Sequence, residues 1–212
     1  MTYSHEKAAA VKLPLSSRDD VEEAGCDEAG RGCLAGPVYA AAVILDPANP
    51  IEGLDDSKKL TATARNRLRK EIETKALAWA VGVVTAEEID RINILQASVT
   101  AMHRALDGLK VRPEAIAVDG NYFRPYGEVP WRTFVKGDGR FANIAAASIL
   151  AKTHRDEYME KMAEQYPAYG WKGNKGYPTA KHREAIAQYG PSPIHRMSFK
   201  LLPDPCLDFG EF

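Results

Sequence analysis

Hydrophobic and polar positions near the start of the chain predict two neighbouring strands. Residues 25–29 precede a glycine-rich segment, and residues 38–45 (VYAAAVIL) follow it with almost no polar side chain. A strand that is apolar throughout is buried on both faces of its sheet. The glycine-rich segment predicts a turn between the two strands. We therefore expect this pair at the centre of a sheet.

Capping residues predict where the helices begin. Thr61 and Thr179 precede helical patterns as N-caps, and Thr85 with Glu88 forms the T-x-x-E pattern of a capping box. Apolar residues at helical spacing extend these starts into helices. The predicted helices cover about residues 61–76, a short segment after Thr85, residues 93–109, residues 140–165 and residues 179–189.

Two short strands are predicted to end on aspartates. The segment EAIAVDGN leads into Asp119, and the segment RTFVKGD leads into Asp138. A further strand, ALAWAVGVVT, lies between the first two predicted helices. Because open α/β sheets carry their sites at strand ends, these aspartates are candidates for function.

The composition is that of one soluble globular domain. The chain has 212 residues, of which 45% are hydrophobic and 27% charged, and its net charge of −1 does not by itself favour a polyanionic partner. Three cysteines without a C-x-x-C pair indicate neither a disulfide framework nor a zinc ribbon. No apolar stretch reaches the roughly 18 residues that a membrane span requires, and no signal-peptide pattern is present, so we expect a cytoplasmic protein. We expect a loosely held polar lead-in over residues 1–23, a domain over residues 24–200 and a tail over residues 201–212.

Four carboxylates lie at or near strand ends and close to glycines: Asp27, Glu28, Asp119 and Asp138. One Asp-Gly pair is ordinary turn chemistry, but three such places in one sheet predict a shared site. Carboxylate oxygens suit Mg²⁺ or Mn²⁺, and a divalent cation makes closely placed negative charges tolerable. Adjacent residues of a regular strand point to opposite faces, so we expect the backbone to leave regular strand geometry at Glu28.

Short motifs along most of the chain add a resemblance. In chain order they are DEAGRGCLAGPV, DSKKL, INILQAS, AVDGN, VKGD, AAASILAKTHRD, NKGYPTAKHREAI and HRMSF. Together they resemble bacterial ribonuclease HII, the type 2 ribonuclease H, over about residues 24–200. Ribonuclease HIII is similar around the acidic pair, but its glycine segment differs and it carries an extra N-terminal domain.

The resemblance implies an α/β, ribonuclease H-like fold: a mixed five-stranded central sheet flanked by helices, with a helical C-terminal part. It implies an endonuclease that hydrolyses the RNA strand of RNA-DNA hybrids and cuts at ribonucleotides embedded in duplex DNA, leaving 3'-hydroxyl and 5'-phosphate ends. The implied cofactor is Mg²⁺ or Mn²⁺, with two ions in the active complex. The family's catalytic and metal-binding acids match Asp27, Glu28, Asp119 and Asp138.

The resemblance also implies how the sugar is recognised. Gly30, Arg31 and Gly32 match the family's GRG motif, whose main chain approaches the 2'-hydroxyl and the neighbouring phosphates. Tyr177 matches the tyrosine that stacks on the following sugar and favours a deoxyribose there. Lys58 is a candidate phosphate contact. The alternatives are a tight turn at the glycines, a packing role for Tyr177 and a solvated face around Lys58.

Other ionisable residues are predicted to have structural roles. We expect Asp156 to form an ion pair with Arg155 or Lys152, and Cys26 to be a small buried hydrophobic residue. Three histidines lack the spacing of zinc ligands, and we expect them at surface or capping positions: His154, His182 and His195.

Two other functions fit the same features less fully. A different metal-dependent nuclease of the same broad fold would need the acids but not the GRG motif together with Tyr177. A nucleic-acid-binding protein without catalysis would not need the intact acids. We expect a monomer that binds RNA-DNA hybrids and ribonucleotide-containing duplexes.

Overall fold

One mixed sheet of five strands forms the centre of the protein. The computed structural model describes residues 13–18 and 20–203. Its strands are β1 (Glu23–Ala29), β2 (Val38–Ile44), β3 (Ala78–Val84), β4 (Ala115–Asp119) and β5 (Trp131–Phe134), in the spatial order β3-β2-β1-β4-β5. The β1–β2 and β2–β3 pairs are antiparallel, whereas β1–β4 and β4–β5 are parallel. This confirms the predicted mixed five-stranded sheet.

Helices flank the sheet and form the C-terminal part. They are α1 (Ala62–Lys75), α2 (Ala86–Ile92), α3 (Ile94–Asp107), α4 (Ala142–Gln165), α5 (Trp171–Asn174) and α6 (Ala180–Tyr189), with 3-10 turns at Gly137–Gly139 and Pro167–Tyr169. The predicted caps are confirmed: Thr61 and Thr179 accept a bond from the first turn, and Thr85 forms a complete capping box with Glu88. None of the helices in the described part of the chain is long and apolar enough to cross a membrane.

Two apolar cores lie on opposite faces of the sheet. One face of β1 and β2, which includes Cys26, packs with the apolar side of α3, whereas Ala41 and Val43 of β2 pack with α1 and α4. Cys26 is fully buried, as predicted. The alternation of side chains along a strand assigns every residue of β1 to one of these two faces.

Helix α4 approaches β1 closely at Gly25. A Cβ atom at this position would lie 2.3 Å from the carbonyl carbon of Asn143 and 2.4 Å from the backbone nitrogen of Ile144. Only a glycine therefore lets the helix lie directly on the strand. This contact positions α4 over the end of β1 that carries Asp27.

Residues 14 and 15, within the predicted lead-in, contact the start of α4. Phe141, the N-cap of α4, makes no side-chain capping bond. Instead, the carbonyl oxygens of Pro14 and Leu15 accept hydrogen bonds from the backbone of Ala142 (2.9 Å) and Asn143 (3.0 Å). Residues 14 and 15 thus satisfy donors at the start of α4 that lack an intrahelical partner.

The fifth strand ends earlier than predicted. β5 stops at Phe134, and Lys136 adopts a left-handed conformation with φ of 57°. This conformation breaks the strand, so Asp138 lies in the 3-10 turn Gly137–Gly139 rather than at a strand end. The prediction that β5 runs to Asp138 is therefore wrong, although the turn keeps Asp138 beside the sheet.

We expect Gly25→Ala to destabilise the fold by about 1–3 kcal/mol or more, because the new methyl group meets the backbone of α4 and not a movable side chain. The free energy of unfolding from urea titration measures this. Gly173→Ala is the matched control, since a Cβ there meets nothing within 4 Å. Equal stability of the two variants would contradict the proposed close contact.

Candidate active site

The adjacent acids Asp27 and Glu28 point to opposite faces of β1. Gly25 and Ala29 contact the α4 side of the sheet, so Asp27 between them faces α4. Cys26 packs on the α3 side, so Glu28 faces α3. The strand thus distributes its two neighbouring charges between the two sides of the sheet.

The predicted departure from strand geometry at Glu28 is wrong. The register between β1 and β2 continues without interruption from Gly25 opposite Val43 to Ala29 opposite Tyr39. On its other side, β1 pairs with β4 only as far as Cys26. Both acids therefore lie just beyond the last paired row, where β4 ends at Asp119, and no bulge is needed to bring their charges to one place.

Asp27 is almost fully enclosed on the α4 side. Its residue is 6% exposed, and its Oδ1 accepts a 2.6 Å hydrogen bond from the backbone N–H of Glu28. Burial raises the pKa of Asp27 well above its usual value, and the charges of Glu28 and Asp119 add to the rise. The hydroxyl group of Ser148 on α4 acts in the opposite direction and lowers the pKa of Asp27.

Glu28 has a cationic partner on the other side of the strand. Burial raises the pKa of Glu28, whereas Arg31, whose Nη1 lies 3.2 Å from Glu28 Oε1, opposes the rise. The charge of Asp119 again raises the pKa. Asp119 thus interacts electrostatically with acids from both faces of β1 and lies at the centre of the cluster.

Asp119 and Asp138 are joined through the 3-10 turn. Asp119 Oδ1 accepts a 2.7 Å hydrogen bond from the backbone N–H of Gly137, next to Asp138. Asp138 is 4% exposed, and burial together with the charges of Asp119 and Asp56 raises its pKa to about 6. The structure therefore brings all four predicted acids into one electrostatic cluster.

The sequence reasoning missed the loop around Asp56. The charge of Asp56 raises the pKa of Asp138, and the hydroxyl groups of Ser57 and Ser148 lie 3.0 Å apart. The signal was the DSKKL motif, which we interpreted only through its lysines. Its acid acts electrostatically on Asp138, and its serine contacts Ser148 of α4.

Lys58 lies near the acids of the cluster. Partial burial disfavours its charged form, but the charges of Asp138 and Asp27 outweigh this effect and raise the pKa of Lys58. An exposed lysine beside buried acids partly neutralises them and still presents a cation to a phosphate.

The donor atoms of the cluster fit a hard divalent cation, since all are carboxylate oxygens whose mutual repulsion a cation would relieve. The side chains are not already assembled around one point. Within residues 13–18 and 20–203, no group of three or more His, Cys, Asp or Glu side chains is arranged so that it could hold a metal ion. The acids therefore fit a divalent cation by their donor atoms and by their charges.

Residues 30–37, here called the glycine loop, border the acids. Gly30 is buried with φ of 97°, and a Cβ there would lie 2.0 Å from Arg155 Nε. Gly32 differs, because it is exposed, lacks a positive φ, and a Cβ there would meet nothing within 4 Å. The fold requires glycine at residue 30 but not at residue 32.

Residues 175–177, here called the tyrosine turn, contact the glycine loop. The backbone N–H of Leu34 donates a 2.8 Å hydrogen bond to the carbonyl oxygen of Gly176. The next residue, Tyr177, is 42% exposed, and Lys152 Nζ lies 5.9 Å from its ring centroid. An exposed aromatic ring beside the glycine loop is available for stacking on a ligand.

The prediction of surface or capping positions is wrong for two histidines. His182 and His195 are 0% and 2% exposed, because they pack among the rings of Tyr169 and Trp171. Trp171 Nε1 donates to His182 Nε2 at 2.9 Å, and His182 Nδ1 donates to the carbonyl oxygen of Tyr177 at 2.9 Å. Burial, with a contribution from His182, lowers the pKa of His195 to about 4. Both rings are thus neutral and hold the C-terminal part together.

The predicted ion pair of Asp156 is present. Asp156 Oδ1 lies 2.7 Å from Lys152 Nζ, which confirms one of the two expected partners. His154 is partly buried between Arg69 and Glu73. Cys206 and the rest of the tail after residue 203 lie outside the described residues.

Comparisons with solved structures identify the fold. A ribonuclease H2 from Pyrococcus horikoshii shares 31% identity with a TM-score of 0.70, covering 84% of this chain and 94% of that one. The ribonuclease HII in a complex with PCNA from Archaeoglobus fulgidus gives a TM-score of 0.71 at 28% identity, covering 89% and 100%. A ribonuclease HIII, solved with Mn²⁺, gives 0.68 at 23% identity, covering 95% and 73%, and at that identity shows the fold alone.

Comparisons of sequence identify the family. The family model described as Ribonuclease HII matches residues 24–202. A ribonuclease HII from Bacteroides thetaiotaomicron is 61% identical over 192 residues, covering 91% of this chain and 96% of the relative. One from Parabacteroides distasonis is 62% identical over 182 residues, covering 86% and 92%. The chain therefore belongs to the ribonuclease HII family, metal-dependent endonucleases that hydrolyse the RNA of RNA-DNA hybrids.

Proposed function

We propose that this enzyme also cuts duplex DNA at single embedded ribonucleotides, with Asp27, Glu28, Asp119 and Asp138 as its catalytic and metal-binding residues. The observation that carries the proposal is the position of the acid cluster beside the glycine loop, whose exposed Gly32 has no structural need to be glycine. A site for a reacting phosphate thus borders a backbone segment open to a sugar. We further propose that it acts as a monomer in the cytoplasm.

The four acids would hold two divalent ions, Mg²⁺ or Mn²⁺. When bound, such ions supply a water nucleophile at neutral pH and neutralise charge on the leaving oxygen, which yields 3'-hydroxyl and 5'-phosphate ends. Membership of the metal-dependent ribonuclease HII family supports a divalent metal at these acids. Asp119 is the central residue of the set, because it interacts with acids from both faces of β1.

The surrounding residues keep the acids in place. The backbone N–H of Glu28 donates to Asp27, and the backbone N–H of Gly137 donates to Asp119. The hydroxyl of Ser148 lowers the pKa of Asp27 and so favours its charged form. Lys58 presents its ammonium group beside the cluster, where it would contact a phosphate of the bound strand. These residues orient the acids, and none of them is needed as a general base, because a bound metal ion would activate the water.

The glycine loop and Tyr177 would read the sugars. Around the exposed Gly32 no side chain of the loop itself covers the backbone, so its polar groups can approach a 2'-hydroxyl, which both donates and accepts hydrogen bonds. Tyr177 would stack on the next sugar, where a deoxyribose lacks the hydroxyl that the ring would meet. The pair would favour a ribonucleotide that is followed by DNA.

The direct test uses two duplexes that differ at one sugar. With Mg²⁺ or Mn²⁺, we expect cutting of a DNA duplex that carries one ribonucleotide and none of the all-DNA duplex, because only the former offers a 2'-hydroxyl. Denaturing electrophoresis of end-labelled strands measures both, and chelation of the metal should abolish cutting. Equal cutting of both duplexes would favour another nuclease of this fold, and binding without cutting would favour a non-catalytic role.

Asp119→Asn should lower kcat by more than about 100-fold. Loss of a residue that only supports a metal ligand lowers activity by up to about 100-fold, and loss of the ligand itself should lower it further. The substitution removes a charge at nearly constant volume, so thermal unfolding should show a folded protein. Asp20→Asn, at an exposed ion pair with Arg18, is the control and should keep full activity. Retained activity in Asp119→Asn would refute the assignment.

Gly32→Ala should lower kcat/KM for the single-ribonucleotide duplex by roughly 10- to 100-fold, because the methyl group would occupy the approach of the sugar. The melting temperature should not fall, since the methyl group meets no protein atom within 4 Å. Gly173→Ala, equally free of contacts, should change neither quantity. Full activity of Gly32→Ala would show that the loop backbone is not read at this residue.

A further inference from the structure

Arg155 of α4 bridges the glycine loop and the tyrosine turn. Its Nε donates to the carbonyl oxygen of Pro37 at 3.0 Å, and its Nη2 donates to that of Ala35 at 3.1 Å. Its Nη1 donates to the carbonyl oxygen of Lys175 at 2.9 Å. One planar guanidinium thus binds two carbonyls of the glycine loop and one of the tyrosine turn.

The two segments fit together without room for side chains. A Cβ at Gly176 would lie 2.6 Å from the carbonyl oxygen of Ala35, and Gly176 has φ of 85°. Gly30 lies directly against Arg155 Nε in the same way. The distance between loop and turn is therefore set by backbone contact and by the guanidinium between them.

The tyrosine turn is held at each of its three carbonyl oxygens. The oxygen of Lys175 accepts from Arg155, that of Gly176 from the backbone of Leu34, and that of Tyr177 from His182. The donors come from α4, the glycine loop and α6. Such complete anchoring leaves the Tyr177 ring exposed while its backbone is fixed relative to the glycine loop.

Arg155 has an unusual environment for a buried cation. It is 1% exposed, and among the ion pairs of the described residues none includes it, since neighbouring Asp156 pairs with Lys152. Burying a charge is costly, and carbonyl dipoles are its compensation here. A lysine could not replace it, because a single ammonium lacks the rigid fork that meets three carbonyls in different directions.

A second buried arginine provides an internal comparison. Arg196 is 0% exposed, and its Nε and Nη1 donate to the carbonyl oxygens of Gly36 and Arg31, both at 2.9 Å. Its side-chain bonds reach only the glycine loop. The two arginines thus share burial and chemistry but differ in contact with the tyrosine turn.

We propose that Arg155 is a positioning residue that determines specificity, because it fixes Tyr177 relative to the glycine loop so that a ribose and the following deoxyribose are read together. The inference rests on the proposed function of these two segments. A loosened Arg155 contact would let Tyr177 shift, and the enzyme would lose its preference for a ribonucleotide followed by DNA over uniform RNA.

The test is a double-mutant cycle between Arg155→Lys and Tyr177→Ala. The measured quantity is the ratio of kcat/KM for a single-ribonucleotide duplex to kcat/KM for a uniform RNA-DNA hybrid. We expect Arg155→Lys to lower this ratio by about tenfold, within the range that small misplacements cause. The double variant should have the ratio of Tyr177→Ala alone, because Arg155 acts on the ratio only through Tyr177.

Arg196→Lys is the matched control. It should lower both activities by a common factor through the glycine loop and so leave their ratio unchanged. The double variant with Tyr177→Ala should then have the ratio of Tyr177→Ala alone. If circular dichroism shows that Arg155→Lys does not fold, Gly176→Ala replaces it, since its Cβ would displace the carbonyl of Ala35. The same loss of preference is expected.

The outcomes separate this inference from the function on which it rests. Wild-type protein that does not cut at a single ribonucleotide would overturn both. Wild-type cutting with a ratio unchanged in Arg155→Lys, or with effects additive to those of Tyr177→Ala, would overturn the positioning role and leave the proposed function intact. An unchanged ratio in Tyr177→Ala would overturn the role of the ring and this inference with it.

Discussion

Repulsion among buried carboxylates is the constraint on which this structure depends. Asp27 and Asp138 are almost fully buried, and burial together with neighbouring acids raises the pKa of each. Such an arrangement costs folding free energy, so the rest of the protein must supply a rigid frame that holds the acids together. The close contact of α4 with Gly25 and the backbone bond from Gly137 to Asp119 are parts of that frame.

Helix α4 connects this frame to substrate recognition. Its first residues lie against Gly25, Ser148 favours the charged form of Asp27, and Arg155 holds the glycine loop. Ser148 and Arg155 are seven residues apart, about two helical turns, and so lie on one side of the helix. A single rigid element thereby relates the position of the acids to the position of the loop that would read the sugar, which is why small changes in either should affect the same reaction.

Features that depend on nearby residues were predicted well from the sequence, and features that depend on distant contacts were not. The caps at Thr61 and Thr179 and the end of β4 at Asp119 follow from local chemistry. Burial of His182 and His195 depends on rings elsewhere in the C-terminal part, and the electrostatic interaction of Asp56 with Asp138 involves two separate loops. The early end of β5 arises from one left-handed residue, Lys136, which no propensity rule requires.

The adjacency of Asp27 and Glu28 shows how a regular strand can serve a compact site. A bulge would place both carboxylates on one side of β1, but it would also disturb the register with β2 that the core requires. The structure keeps the register and instead ends the pairing with β4 at Cys26. Asp119, at the end of β4, interacts electrostatically with both acids. The position where a neighbouring strand stops, and not a distortion of β1, therefore brings opposite faces of the sheet into one site.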